Sequence, residues 1–143
     1  MPDILHELIV SAPPQRVFEM FTTAEGLSKW WTKRALGNVS PDEPVRLFFG
    51  AVYDWQARIT RFTPPVSFEL EITEAHPDWV GTLVGCELSP TGEKTRIRFH
   101  HLGWREPNEH WRVSCFCWAM YLRLLKRHLE HGETVEYEKR LDA

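Results

Sequence analysis

The stretch after residue 108 constrains the fold most. Trp111, Cys115, Trp118, Leu122, Leu125 and Leu129 recur at alternating spacings of four and three, which puts all six on one stripe of an α-helix. Asn108 is placed to cap its start. Gly132 stands where such a helix ends, and Lys126, Arg127, His128 and His131 lie near the negative end of its dipole. About two dozen residues at 1.5 Å each make a rod of roughly 35 Å. A rod of that length can cross a whole small sheet, and the preceding segments supply one.

Residues 4–10 alternate Ile4, His6, Leu8 and Val10 against Leu5, Glu7 and Ile9, the period of a strand. From residue 53 to residue 103 the chain reads as four strands in series. Tyr53, Trp55, Ala57 and Ile59 share one face, and Asp54, Gln56, Arg58 and Thr60 the other, as in a sheet with one wet side. Thr63-Pro64-Pro65 ends that strand. Phe68, Leu70 and Ile72 then alternate with Ser67, Glu69 and Glu71, and Val84, Cys86 and Leu88 repeat the pattern. Ser89-Pro90-Thr91-Gly92-Glu93 reads as a hairpin turn, after which Ile97, Phe99 and His101 alternate with Arg96, Arg98 and His100. An antiparallel meander is expected.

Between the first strand and this meander lie two short helices. Ser11 is read as the cap of one, with Pro13 and Pro14 in a first turn that tolerates proline and Val17, Phe18 and Phe21 as its buried stripe. Thr22 to Gly26 reads as a break, and Leu27 to Trp31 as a second helix ending in a tryptophan pair. Residues 32–50 hold Gly37, Pro41, Pro44 and Gly50, which predicts a long loop with one strand near Val45 to Phe49.

With 143 residues the chain is long enough for one core, so residues 1–143 are read as a single α+β domain. Seven Trp, eight Phe and three Tyr make it 13% aromatic, more than a chain this short needs to fill its core. Large rings line small-molecule pockets. A net charge of −3 with scattered Lys and Arg offers no basic face, so nucleic acid is not an expected partner. Nor does any segment read as a membrane span. Met1-Pro2-Asp3-Ile4 lacks the basic and apolar regions of a signal peptide, so a cytoplasmic location is expected. Cys86, Cys115 and Cys117 are read as reduced thiols.

Motifs for chemistry are sparse. His100, His101, His110, Cys115 and Cys117 are near one another in sequence, yet their spacings match no Cys-x2-Cys or His-x3-His ligand pair, and neither metal nor cofactor is expected. Asp54, Glu69, Glu71 and Glu87 fall on the polar strand faces and read as solvated surface. There is no glycine-rich phosphate loop and no nucleophile elbow.

Ala12-Pro13-Pro14 with Val17-Phe18, then Leu27 and Trp30-Trp31, resembles the opening of the activator-of-Hsp90-ATPase-homologue branch of the START-like (SRPBCC, Bet v 1-type) superfamily. Ile59 with Pro64-Pro65 and Val66, Thr95-Arg96-Ile97 with Phe99, His101 and Gly103, and Trp118, Leu122, Leu125-Lys126 and Leu129-Glu130 with Gly132 match in the same order. The resemblance implies a helix-grip fold: a bent antiparallel sheet of about six to seven strands wrapped around the last helix, with two short helices after strand one and a cavity between sheet and helix. The separate N-terminal domain of eukaryotic activators has no counterpart here, so an Hsp90-type partner is not expected. The pattern departs at Ala57 and Leu70, where many relatives carry a small residue and a tryptophan, and Trp55, Trp79 and Trp104 add rings elsewhere.

If the long helix covers the apolar sheet face, parity aims Tyr53, Trp55, Phe68, Leu70, Val84, Cys86, Phe99 and His101 at it, with Trp118 and Leu122 pointing back. Trp30, Trp31 and Trp104 come from connecting segments at the mouth. These rings and aliphatics read either as plain core or as walls of a site for an apolar or aromatic molecule, a lipid, polyketide or phenolic. Trp79 and Trp104, read as exposed at the mouth, suit a homodimer contact. His101, on the apolar face, reads as a core histidine bonded to a neighbouring hydroxyl or carbonyl, as a donor that orients a ligand, or as a general acid/base. Binding is the expected function. A cyclase- or hydrolase-like enzyme using His101, and an interaction protein akin to chaperone regulators, are the alternatives.

Overall fold

The structure is a computed structural model and describes residues 2–36, 40–50 and 54–142. Its elements run β1 (Ile4–Val10), α1 (Pro14–Thr22), α2 (Ala24–Trp30), β2 (Arg34–Leu36), β3 (Val45–Phe48), β4 (Asp54–Thr63), β5 (Ser67–Glu74), β6 (Leu83–Thr91), β7 (Lys94–Leu102) and α3 (Glu109–His131), then a 3-10 helix, Tyr137–Asp142. The strands form one curved sheet in the order β1-β7-β6-β5-β4-β3-β2, every pair antiparallel. This is the helix-grip architecture. α1 and α2 carry the chain from one sheet edge to the other, and the meander returns it to β1.

Register explains the core. Ile59, Leu70, Val84, His101 and Ile4 stand in one row across five strands, and Phe68, Cys86, Phe99 and His6 form the next. Trp118, Leu122, Leu125 and Leu129 of α3 are buried. Each fully buried large apolar side chain contributes about 1.5–3 kcal/mol. Trp111 and Cys115, the other members of the predicted stripe, are partly buried against the same cluster. Asn108 accepts the Trp111 amide at 2.8 Å as the cap of α3, and Gly132 follows as its C-cap.

Local departures have local causes. Helix α1 is capped by Pro13 without a side-chain bond, because its first residue is Pro14; Ser11 lies too early and gives its amide to Glu130 instead. The expected break from Thr22 to Gly26 contains the start of α2, where Thr23 accepts the Gly26 amide at 2.9 Å. Gly26 works there as a contact: a Cβ on it would lie 2.6 Å from the Glu19 carbonyl of α1. Strand β2, absent from the sequence reading, pairs with β3. The hairpin after β6 is tighter than predicted, with only Gly92-Glu93 between Thr91 and Lys94.

Trp79 and Trp104 are both buried, at 7% and 1% exposure, so neither offers the external surface expected of it. Glu69 is a further correction. Asp54 and Glu87 are exposed, but Glu69 is buried on the outer sheet face, accepting from Thr60 Oγ1 at 2.8 Å and bonded to His100 Nε2 at 2.9 Å. Gly85 stands between Glu69 and His100 in the register. Having no side chain, it lets the imidazole cross and cover the carboxylate.

Candidate functional site

A cavity of about 460 Å³ opens at one end of the molecule, between the first half of α3 and the far strands. Its walls are Trp31 from the end of α2, Phe49 after β3, Trp55 of β4, His76 and Trp79 from the β5–β6 connection, His110, Val113, Ser114, Cys117, Trp118 and Tyr121 of α3, and Tyr137 of the 3-10 helix. Five of these rings form a closed belt. Centroids are 5.6 Å apart for Trp31–Phe49, 5.1 Å for Phe49–Trp55, 5.0 Å for Trp55–Trp79, 5.8 Å for Trp79–Trp118 and 5.0 Å for Trp118–Trp31. Contacts of this kind add about 0.5–1.5 kcal/mol each beyond area burial, so the belt stiffens the wall it forms.

The position of the cavity follows from helix geometry. The stripe through Trp118, Leu122, Leu125 and Leu129 is packed, and the adjacent face of α3, with His110, Ser114, Cys117 and Tyr121 at helical spacings, borders the space. Ser114 and Cys117 are the small residues on this face, and small side chains flanking Trp118 are the sequence signal that marks the void.

Of the residues singled out from the sequence, Trp31, Trp55 and Trp118 line the cavity. Tyr53 lies outside the described residues. Trp30, Phe68, Leu70, Val84, Cys86, Phe99, His101, Trp104 and Leu122 are buried in the core and do not line it. They fill the middle of the sheet–helix interface. Trp30, for one, donates its indole N–H to the Met20 carbonyl at 2.9 Å.

His101 is fully engaged. Trp118 Nε1–H donates to its Nδ1 at 3.0 Å, which assigns the ring proton to Nε2, 2.8 Å from Thr82 Oγ1; Thr82 in turn donates to the Trp79 carbonyl at 2.6 Å. Burial, with smaller contributions from His100 and His110, pushes its pKa down to about 3. Neither nitrogen is left for a ligand, and the ring stays neutral.

The Cys117 thiol and the Tyr121 phenol in the wall are uncharged at neutral pH. Burial raises the Cys117 thiol, and burial followed by Tyr137 and Cys117 raises Tyr121 to about 12. Among the described residues the Trp79 Nε1–H is buried without a partner. A buried donor left unsatisfied costs about 1–3 kcal/mol. At the rim, Asp78 bonds His110 Nδ1 at 2.9 Å, and this contact is the main cause of its lowered pKa. Behind the cavity the buried Arg140 guanidinium donates to the carbonyls of Ser28, Thr32 and Val135 at 2.8, 3.1 and 3.0 Å, fastening the 3-10 helix to the end of α2.

Comparison with known proteins agrees with this architecture. The solution structure of the Aha1 dimer from Colwellia psychrerythraea is similar at a TM-score of 0.84 and 27% identity, over 93% of this chain and 99% of that one. CalU16 from Micromonospora echinospora matches at 0.74 and 18% identity, over 98% of this chain and 81% of its own. DynU16, from the dynemicin biosynthetic locus, matches at 0.78 and 18% identity, over 94% of this chain and 50% of its own. No curated protein matches significantly. The family model described as Activator of Hsp90 ATPase homolog 1-like protein matches residues 11–130. With that match over most of its length and the helix-grip fold around it, the chain belongs to the Activator of Hsp90 ATPase homolog 1-like family.

Proposed function

We propose that this chain binds an apolar or aromatic small molecule, a lipid, polyketide-like compound or phenolic, in the cavity beside α3. The closed aromatic belt around a space of about 460 Å³ carries this reading. That volume lies in the range of about 300–1,000 Å³ typical of small-molecule sites. DynU16, associated with a biosynthetic locus, adds support by analogy of fold. Enclosure rather than turnover is the proposed role, and the cytoplasm the proposed compartment.

Four tryptophans in the wall make binding measurable by intrinsic fluorescence. Displacement of anilinonaphthalene sulfonate by a panel of fatty acids, anthraquinones and flavonoids is the test, with parallel quenching of tryptophan emission expected. A panel without one saturable binder overturns the proposal. The Colwellia relative was solved as a dimer, and this chain exposes Val113 and Phe116 on α3, at 52% and 72%; a homodimer through that face belongs to the same reading. Sedimentation velocity on the parent and on Phe116→Glu tests it, with a monomeric parent as the negative result. The family description favours a second reading, chaperone regulation. Stimulation of an Hsp90 ATPase by the purified chain would establish it, and no effect would remove it.

A further inference from the structure

We propose that His76, Asp78 and His110 form a site for one divalent transition-metal ion of the zinc, cobalt or ferrous-iron kind, at the rim of the aromatic cavity. One ligand atom from each of the three lies within 4.8 Å of the others. Asp78 Oδ2 is 2.9 Å from His110 Nδ1 and 3.8 Å from His76 Nδ1. Ligand atoms placed tetrahedrally at zinc's bond length of about 2.0–2.1 Å sit roughly 3.3–3.4 Å apart, and the two distances bracket that value. Two imidazoles and one carboxylate suit zinc, cobalt or ferrous iron and not the all-oxygen preference of calcium or magnesium.

The surroundings support the assignment. His76 Nδ1 accepts the Asp78 amide at 3.1 Å, so this nitrogen already presents a lone pair, and metal binding exchanges one partner for another. Asn108 Nδ2, 3.4 Å from Asp78 Oδ2, steadies the carboxylate from outside. The His76 and His110 rings stand edge to face at 4.4 Å, and Trp104 packs edge-on to His110 at 5.3 Å, which limits ring rotation. The side chains of His76, Asp78 and His110 remain 49%, 29% and 31% exposed, leaving a path for the ion. His110 sits in the first turn of α3, whose positive end opposes a cation. The Asp78 carboxylate in the ligand set offsets that field.

Both histidines line the cavity. An ion between them borders it, and the remaining coordination position is open to an oxygen donor inside, a phenolate or enolised 1,3-diketone. This last step rests on the small-molecule reading given above; the metal site itself does not. No sequence spacing announces the site, because two ligands lie on the β5–β6 connection and the third opens α3.

Titration of zinc chloride into the intact, chelator-treated protein by calorimetry tests the site. One equivalent is expected to bind, His76→Ala and Asp78→Asn each weakening it at least tenfold and the triple variant with His110→Ala abolishing it, since even outer-shell partners cost about 10–100-fold. Circular dichroism verifies folding, and the near-isosteric Asp78→Asn keeps the test decisive if the alanine variants unfold. His131→Ala and Cys115→Ser should bind as the parent does. Absence of stoichiometric binding, or binding that survives the triple variant, overturns the site. Catechol added to the cobalt-loaded protein should shift its visible absorption; an unmoved band overturns the open position facing the cavity. Neither outcome bears on anilinonaphthalene sulfonate displacement, which tests the cavity ligand alone.

Discussion

Trp118 donates its indole N–H to Nδ1 of His101 at 3.0 Å, and with that bond one face of α3 is fixed to the middle of the sheet. The imidazole is neutral by construction, since its other nitrogen donates to Thr82. Its pKa falls from 6.5 to about 3 on folding. Between those values the unfolded chain takes up a proton that the folded one refuses. The stability this group contributes is therefore complete above pH 6.5 and is lost as pH falls toward 3. Over two pH units below 6.5 the loss is roughly 2–3 kcal/mol. Urea unfolding of the parent and of His101→Gln across this range checks it. The gap between the two proteins should narrow with acid, and parallel curves would sink the assignment.

Ser114 is a small residue in the cavity wall. Ser114→Phe places a ring in the void, so probe affinity should fall more than tenfold. Any misfit costs about 1–3 kcal/mol, small enough for the protein to stay folded. Fluorescence titration together with a thermal melt separates the two effects, and unchanged affinity in a folded variant would show that the probe binds elsewhere.

Gly85 has no room for a side chain. A Cβ would lie 2.2 Å from the Phe68 carbonyl oxygen, 2.8 Å from Glu69 Cα and 2.9 Å from His100 Nε2. Gly85→Ala forces β5 and β6 apart and separates the Glu69–His100 pair, at a cost on the order of 2–4 kcal/mol. Urea unfolding measures this directly; a loss under about 0.5 kcal/mol, ordinary for a surface change, would refute the packing described.

Arg140 holds three backbone carbonyls, those of Ser28, Thr32 and Val135, in one fork of donors. Truncation to Ala should cost about 2–4 kcal/mol, because a hydrogen bond to a charged group contributes about 1.5–3 kcal/mol where it is buried, as at Thr32, and less at the part-buried carbonyls of Ser28 and Val135, which water reaches. Lys cannot point donors in three fixed directions, so Arg140→Lys should recover less than half the loss. Hydrogen exchange should localise the damage to α2 and the 3-10 helix, and uniform destabilisation would argue against a clamp.

Much of the fold is legible in the residues because local rules and tertiary packing agree there. The alternation through Phe68, Leu70 and Ile72 survives because one sheet face is covered, and Asn108 caps α3 where its side chain permits. β2 was not legible: a three-residue strand carries no period, and only pairing with β3 defines it. Glu69 was misread for a related reason, since its burial depends on Gly85 and His100, residues of two other strands.

Sequence by itself determines the helix stripe, the two-faced strands and the aromatic supply, all set by periods of a few residues along one chain. Tertiary structure decides where the space is. The stripe marks the packed side of α3, and the cavity opens on the next face, where Ser114 and Cys117 are too small to meet the belt of rings brought from four other segments. Volume left unfilled is a property of several elements at once, so the small residues beside Trp118 mark it only once the rings opposite them are placed.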